Sequence, residues 1–230
     1  MCAIIGCVIN SPAKSDFDLL KRIFLESQIR GKHATGMSWL KNGEILTIKE
    51  PIPAEEFVVR HLNKLEEFAD VSGILRLSGH ARYSTSDLRD NQPISNKKVS
   101  VVHNGVITQE LPENWEKLYG YSCETRNDTE LLVHTIEEEI SPLLRWKNSS
   151  LAVCELHADG RIRFYRNGKR PVYYSFVDNG IIVTSTIDIA RRAGLTNTKE
   201  LDMNVYAEYD GIDLKLTHEI ISDARDLQHV

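Results

Sequence analysis

Apolar residues recur along this chain in two rhythms. Residues 2–9, Cys-Ala-Ile-Ile-Gly-Cys-Val-Ile, have almost no polar interruption and predict a buried strand. Ser15 and Asp18 then precede Leu19, Leu20, Ile23 and Phe24, whose spacing predicts a helix with one apolar stripe, ended by Arg30-Gly31. Residues 34–40 and 44–49 return to a strand pattern on either side of Lys41-Asn42-Gly43, a tight-hairpin signal. A second helix is predicted after Pro53, with Phe57, Val58, His61, Leu62, Leu65 and Phe68 along one side. Strands follow near 74–83 and 98–103. Asp128 or Thr129 opens a third helix carrying Leu131, Leu132, Ile136 and Ile140. Segments 151–157, 161–166, 171–177 and 180–186 are separated by Asp159-Gly160, Asn167-Gly168 and Asn179-Gly180, which predicts an antiparallel meander. Residues 187–195 are predicted helical. From Thr196 the chain is charged and weakly patterned, as short elements or a docking tail would be.

Strands outnumber helices, so the pattern gives an α+β fold, mostly antiparallel, with helices covering stacked sheets. The 230 residues suit one large domain, drawn at 2–195, with a tail or docking segment over 196–230. Such a chain buries enough core to fold without disulfides or metal. A net charge of -5 gives no basic surface for nucleic acid or an anionic membrane. No apolar run approaches the roughly 20 residues of a membrane span. The start lacks the basic segment and long apolar core of a secretory signal. The four cysteines form no Cys-x-x-Cys pair, which points to free thiols in a reducing cytoplasm and to no completed zinc site. No cofactor is expected.

Candidate chemistry lies in a few short segments. Cys2 follows the initiator Met, and Met removal would leave thiol and α-amine on one residue, a nucleophile with its own base. The bland alternative is a cysteine merely buried in the first strand. Arg30-Gly31-Lys32-His33-Ala34-Thr35-Gly36 brackets a turn with glycines, as an ordinary helix-to-strand turn also would. Arg82, in Gly79-His80-Ala81-Arg82-Tyr83-Ser84-Thr85, sits in an apolar strand and must find an anion or several acceptors. Asn91-Gln92-Pro93-Ile94 follows it. In Val101-Val102-His103-Asn104-Gly105-Val106-Ile107 a strand runs into a polar turn. The Asn104 amide and the Gly105 N–H are neutral donors of the kind that hold an oxyanion, or simply a plain turn. His103 reads as a packed turn residue. Asp128 is either a helix N-cap or a carboxylate for a substrate ammonium.

Taken in order, these segments resemble the glutaminase domain of class II glutamine amidotransferases. That family includes the glutaminase halves of glucosamine-6-phosphate synthase, amidophosphoribosyltransferase and asparagine synthetase. The resemblance runs from residue 2 to about 195 and includes Arg170-Pro171-Val172-Tyr173-Tyr174 and Ile182-Val183-Thr184-Ser185. It implies a four-layer αββα sandwich of the N-terminal-nucleophile hydrolase type, and it implies roles. Cys2 attacks the γ-amide of L-glutamine, and Asn104 and Gly105 form the oxyanion hole. Arg82 takes the α-carboxylate and Asp128 the α-ammonium. Arg30 braces the nucleophile end and Thr85 lines the pocket. Ammonia is expected to pass to an acceptor enzyme on a separate chain; self-association is left open. The chain departs from relatives near glucosamine-6-phosphate synthase at Tyr83, where they carry Trp, and at Ser86-Asp87, where they carry His-Gly. Two other readings compete: an N-terminal-Cys amidase of a different amide, and a non-catalytic binding module that keeps the fold.

Overall fold

The computed structural model describes residues 2–84 and 90–220. Its strands are β1 (Ala3–Asn10), β2 (Ala34–Lys41), β3 (Glu44–Glu50), β4 (Ile74–Arg82), β5 (Ile94–Ser95), β6 (Val99–His103), β7 (Ala152–His157), β8 (Ile162–Arg166), β9 (Tyr173–Val177), β10 (Gly180–Thr184), β11 (Thr198–Glu200), β12 (Val205–Tyr209) and β13 (Leu214–His218). The helices are α1 (Lys14–Glu26), α2 (Ala54–His61), α3 (Trp115–Tyr119), α4 (Thr129–Glu137), α5 (Pro142–Arg145) and α6 (Ile187–Ala193). One sheet has the order β11-β9-β10-β1-β4-β2-β3 and the other β13-β12-β8-β7-β6-β5, and every named pairing is antiparallel.

The near-continuous apolar run of β1 follows from burial on both faces. Ala3, Ile5, Cys7 and Ile9 pack with Leu20, Ile23 and Phe24 of α1, Phe57 of α2 and Ile189 of α6. Ile4 and Val8 point the other way, into a second cluster with Val102, Cys154, Phe164 and Ala207 of the facing sheet. Beyond that sheet, Val101, Val153 and Tyr165 meet Leu131 and Leu132 of α4, Trp115 and Trp146. Three apolar clusters therefore alternate with four layers, helices outside and the two sheets within, as the α+β sandwich requires.

Three expectations are corrected. The stretch 151–186 is not one meander. β7–β8 and β9–β10 are hairpins in different sheets, because β12 occupies the edge of β8 that a meander would give to β9. At the crossing, Asn167 turns back, its Oδ1 accepting from the Leu151 N–H at 3.1 Å and its Nδ2 donating to Ser149 O at 2.7 Å. The helix predicted through Phe68 stops at His61, and Leu65–Phe68 form a separate 3₁₀ turn. Residue 195 does not divide the layers either. β11 joins one sheet through β9, and β12 and β13 join the other, so the segment 196–220 is woven into both. The remaining ten residues of the expected tail, 221–230, lie outside the described residues.

Candidate active site

Both sheets end at one place. Ala3, at the start of β1, pairs with Ala81, one residue before β4 ends. In the other sheet His103, the last residue of β6, pairs with Val153 near the start of β7. The turn after α1 delivers Arg30 to the same end, where its Nε lies 3.4 Å from the Cys2 carbonyl oxygen. Cys2 itself is half-buried.

A closed circuit of contacts surrounds this end. The Cys2 backbone N–H donates to Asn104 Oδ1 at 3.2 Å. Three residues on, the Ile107 N–H donates to Asp128 Oδ2 at 2.7 Å. Beside Asp128, Asn127 Nδ2 donates to the Asp90 carbonyl oxygen at 2.8 Å. Arg82 Nη1 reaches the same oxygen at 2.9 Å and Asn91 Oδ1 at 2.8 Å. Next to Arg82, the Tyr83 carbonyl oxygen lies 3.9 Å from Cys2 Sγ, which closes the ring. Thiol, turn amide, carboxylate and guanidinium are thus four stations on one loop of structure, although they lie as much as 126 residues apart in sequence.

The local sequence makes this possible. A Cβ on Gly31 would lie 2.1 Å from the Arg82 carbonyl carbon, so only glycine lets the 30–33 turn lie against the end of β4. Across that contact the His33 N–H donates to Arg82 O at 2.9 Å, and the Ser84 N–H to His33 Nδ1 at 2.9 Å. A Cβ on Gly105 would stand 1.8 Å from Ser150 O. The flanking Asn104 and Val106 N–H groups bond to Ala152 O and Ser150 O, which pins the turn. Asn104 Nδ2 is buried with no hydrogen-bond partner among the described residues. A buried donor of this kind is costly unless an oxygen from outside the protein meets it.

Electrostatics follow burial. Desolvation raises the Cys2 thiol above its usual range, although the Tyr83 carbonyl contact and the Arg82 and Arg30 charges pull it back. Burial lowers Arg30 below the usual guanidinium range, and Arg170 adds to the effect. His103 is held neutral, chiefly by burial and against the pull of Asp128. Its Nε2 donates to Ser150 O at 2.9 Å, so it braces the turn, as a packed turn residue would. Burial, then Arg82 and His103, lower His80 to about 3, so it too is neutral.

Cys2, Arg30, Arg82, Asn104, Gly105 and Asp128 therefore come together, while Thr85 lies outside the described residues. Asp128 makes no side-chain cap at the start of α4; Asn127 Oδ1 takes the Thr129 N–H instead, at 3.1 Å. In the sequence Asn91 stood as part of the resemblance, in the segment after Arg82, and Gln92 as its neighbour, neither with a role of its own. Asn91 Oδ1 fixes the guanidinium, and Gln92 Oε1 accepts from the His103 N–H at 2.6 Å. Asp90 and Asn127 gave no signal, because Asp90 contributes its backbone carbonyl and Asn127 reaches it from 37 residues away; Arg170 stood only within the 170–174 stretch of the resemblance, with no role of its own. A separate groove of about 610 Å³, lined by residues such as Lys98, Ile140, His157, Arg163 and Tyr206, shares no residue with this ring.

Residues 80–192 match the family model described as "Glutamine amidotransferase domain". The chain is 32% identical over 145 residues to glutamine–fructose-6-phosphate aminotransferase (isomerizing) of Bartonella henselae, covering 59% of this chain and 22% of that enzyme. The enzyme of the same name from Staphylococcus aureus is 27% identical over 142 residues, with 60% and 22% covered. The chain thus spans about a fifth of the length of these curated relatives. Among solved structures, the glutamine phosphoribosylpyrophosphate amidotransferase of B. subtilis superposes with a TM-score of 0.67 at 18% identity, over 94% of this chain and 49% of that one. A glutamine aminotransferase class-II domain protein from Silicibacter pomeroyi gives 0.58 at 13%, over 94% and 98%. These structures share the fold. No described helix is long and apolar enough to cross a membrane. From β4 to α6 the chain is thus similar to glutamine amidotransferase domains, and the sandwich that continues on both sides of that stretch is the fold those solved structures share.

Proposed function

We propose that this chain hydrolyses L-glutamine to L-glutamate and ammonia through a γ-glutamyl thioester on Cys2, and that the ammonia passes to an acceptor enzyme on a separate chain. The observation that carries the reading is the two-ended use of Asn104. Its Oδ1 holds the Cys2 nitrogen at 3.2 Å, while its Nδ2 is buried with no partner among the described residues. One amide orients the base and keeps its donor for an oxyanion.

The chemistry follows from these groups. Burial keeps the Cys2 thiol protonated, so it needs a base. Removal of Met1 frees an α-amine whose ordinary pKa is about 8, on the same residue. The amine takes the thiol proton, sulfur attacks the γ-carbon, and Asn104 Nδ2 with the Gly105 N–H stabilises the oxyanion. Collapse expels ammonia, the leaving nitrogen taking back the proton that the Cys2 amine had accepted from the thiol. Water, deprotonated by the same amine, then cleaves the thioester and releases glutamate. Arg82, held by Asp90 and Asn91, takes the α-carboxylate of glutamine; Asp128 takes its α-ammonium; Arg30 braces Cys2. The four free cysteines suit a reducing cytoplasm.

Mass spectrometry of the intact protein after exposure to a diazo-ketone glutamine analogue tests the reading. The expected mass lacks Met1 and carries one adduct on Cys2, absent from Cys2→Ala. Retained Met1, or an adduct on another residue, would overturn it. An acceptor enzyme that raises glutamine turnover when mixed with the chain would support the transfer step, and turnover indifferent to every co-encoded synthase would count against it.

A further inference from the structure

Cys123, Glu130 and His134 lie outside the glutamine ring, and the proposed chemistry uses none of them. Glu130 and His134 are one helical turn apart on α4 and share a face. Cys123 reaches that face from the turn that leads into the helix. The ligand atoms of the three side chains all lie within 4.8 Å of one another. His134 Nε2 is buried and has no hydrogen-bond partner among the described residues; Glu130 Oε1 stands 3.9 Å away, beyond hydrogen-bond reach. The imidazole is held flat against Tyr121, ring centroids 5.2 Å apart, and its Nδ1 faces Glu137 Oε2 at 3.6 Å. Among the described residues Cys123 Sγ makes only a long contact to Tyr121 O, at 3.9 Å. Glu130 Oε2 is occupied by the Thr125 N–H and hydroxyl, but Oε1 accepts only the Glu124 N–H, at 2.7 Å, and keeps a lone pair.

We propose that Cys123, Glu130 and His134 form a binding site for a zinc-class divalent cation, which staples the 121–127 turn to α4. Thiolate, imidazole and carboxylate are the donors zinc accepts, and three of them leave a fourth position for water. Binding forms a sulfur–metal bond and releases the thiol proton to solvent. His134 coordinates through Nε2, with its Nδ1–H directed to the Glu137 carboxylate, the outer partner that such ligands use. Asn127 and Asp128 follow directly in the chain, so the cation would stiffen the segment that supplies one side of the ring. The rival arrangement is a protonated His134 paired with Glu130 and Glu137, which needs no metal and no thiol.

The test uses the full chain carrying Cys2→Ala, so that the N-terminal thiol and amine cannot chelate. After stripping with a chelator, cobalt(II) is titrated in. The expected result is one bound equivalent with a thiolate-to-cobalt charge-transfer band, displaced by zinc, and lost in both Cys123→Ser and His134→Gln. Zinc is also expected to slow alkylation of Cys123, read by peptide mass spectrometry with all three ligands in place; this measurement decides if a variant melts abnormally without metal. No band in the parent, a band that survives Cys123→Ser, or alkylation indifferent to zinc would overturn the site.

Discussion

In the proposed reaction Cys2, Asn104 and Asp128 divide the work by charge. Burial raises the thiol, so that reaction calls for a base and uses the nitrogen of the same residue, which Asn104 holds. Cys2→Ala is expected to abolish glutamine hydrolysis while calorimetric binding of glutamine persists; turnover by the variant would remove Cys2 as the nucleophile. Asp128 is both a turn anchor and a candidate counter-charge. Asp128→Asn keeps an acceptor for the Ile107 N–H but removes the charge. A charged hydrogen bond is worth about 1.5–3 kcal/mol, so KM for glutamine should rise roughly 10- to 100-fold with kcat less affected. An unchanged KM would show that another group holds the ammonium.

At the scale of elements, the turn before α4 matters more than the helix. Glu130 gathers the Glu124 and Thr125 N–H groups, and Asn127 bridges to Asp90, whose carbonyl also receives Arg82. The turn therefore positions the guanidinium indirectly. Asn127→Ala removes the bridge to Asp90 and the acceptor for the Thr129 N–H. The expected result is a roughly tenfold rise in KM, the effect of about 1.4 kcal/mol, without loss of Cys2 labelling. Steady-state kinetics beside labelling by the diazo-ketone analogue separates this from general unfolding, which would depress both. Gly31 shows why such elements were hard to foresee. Its place in a turn is plain from sequence, but its need for glycine comes from the Arg82 backbone, 51 residues on.

At the scale of the molecule, the site rests on a sandwich whose second sheet carries a buried charge cluster. Glu155 on β7 is fully buried. Burial alone would raise its carboxyl, but Arg163 at 2.8 Å and His157 at 2.7 Å hold it down to about 2. The folded state thus binds this proton less readily than the unfolded chain. The stabilisation is whole above the ordinary value near 4.5 and is lost as pH falls toward about 2. Urea unfolding should therefore show stability dropping across that window. Glu155→Gln should flatten the drop and cost about 1.5–3 kcal/mol at neutral pH, since it weakens the charged hydrogen bonds that Glu155 makes with His157 and the half-buried Arg163. Equal slopes for the two proteins would show that the cluster is not the acid-sensitive element.

Much of this protein was legible in one dimension because much of it is governed by local rules. Burial on both faces makes β1 read as an apolar run, Asn42-Gly43 makes the β2–β3 hairpin, and the 3.6-residue period marks α1 and α4. The candidate residues Cys2, Arg82, Asn104 and Asp128 stood out in sequence for a related reason: each sits next to or at the end of a strand or helix, where a polar residue interrupts an apolar pattern. Tertiary structure alone decided which sheet each hairpin joins, because β12 competes for the edge of β8 only after the chain has folded back. It alone decided that Asp128 faces Ile107 rather than capping its own helix, and that Cys123, solitary in sequence, meets Glu130 and His134. Strand and helix propensities act over a few residues. Edge pairing, desolvation and hydrogen-bond circuits are settled between residues that become neighbours only when the layers close.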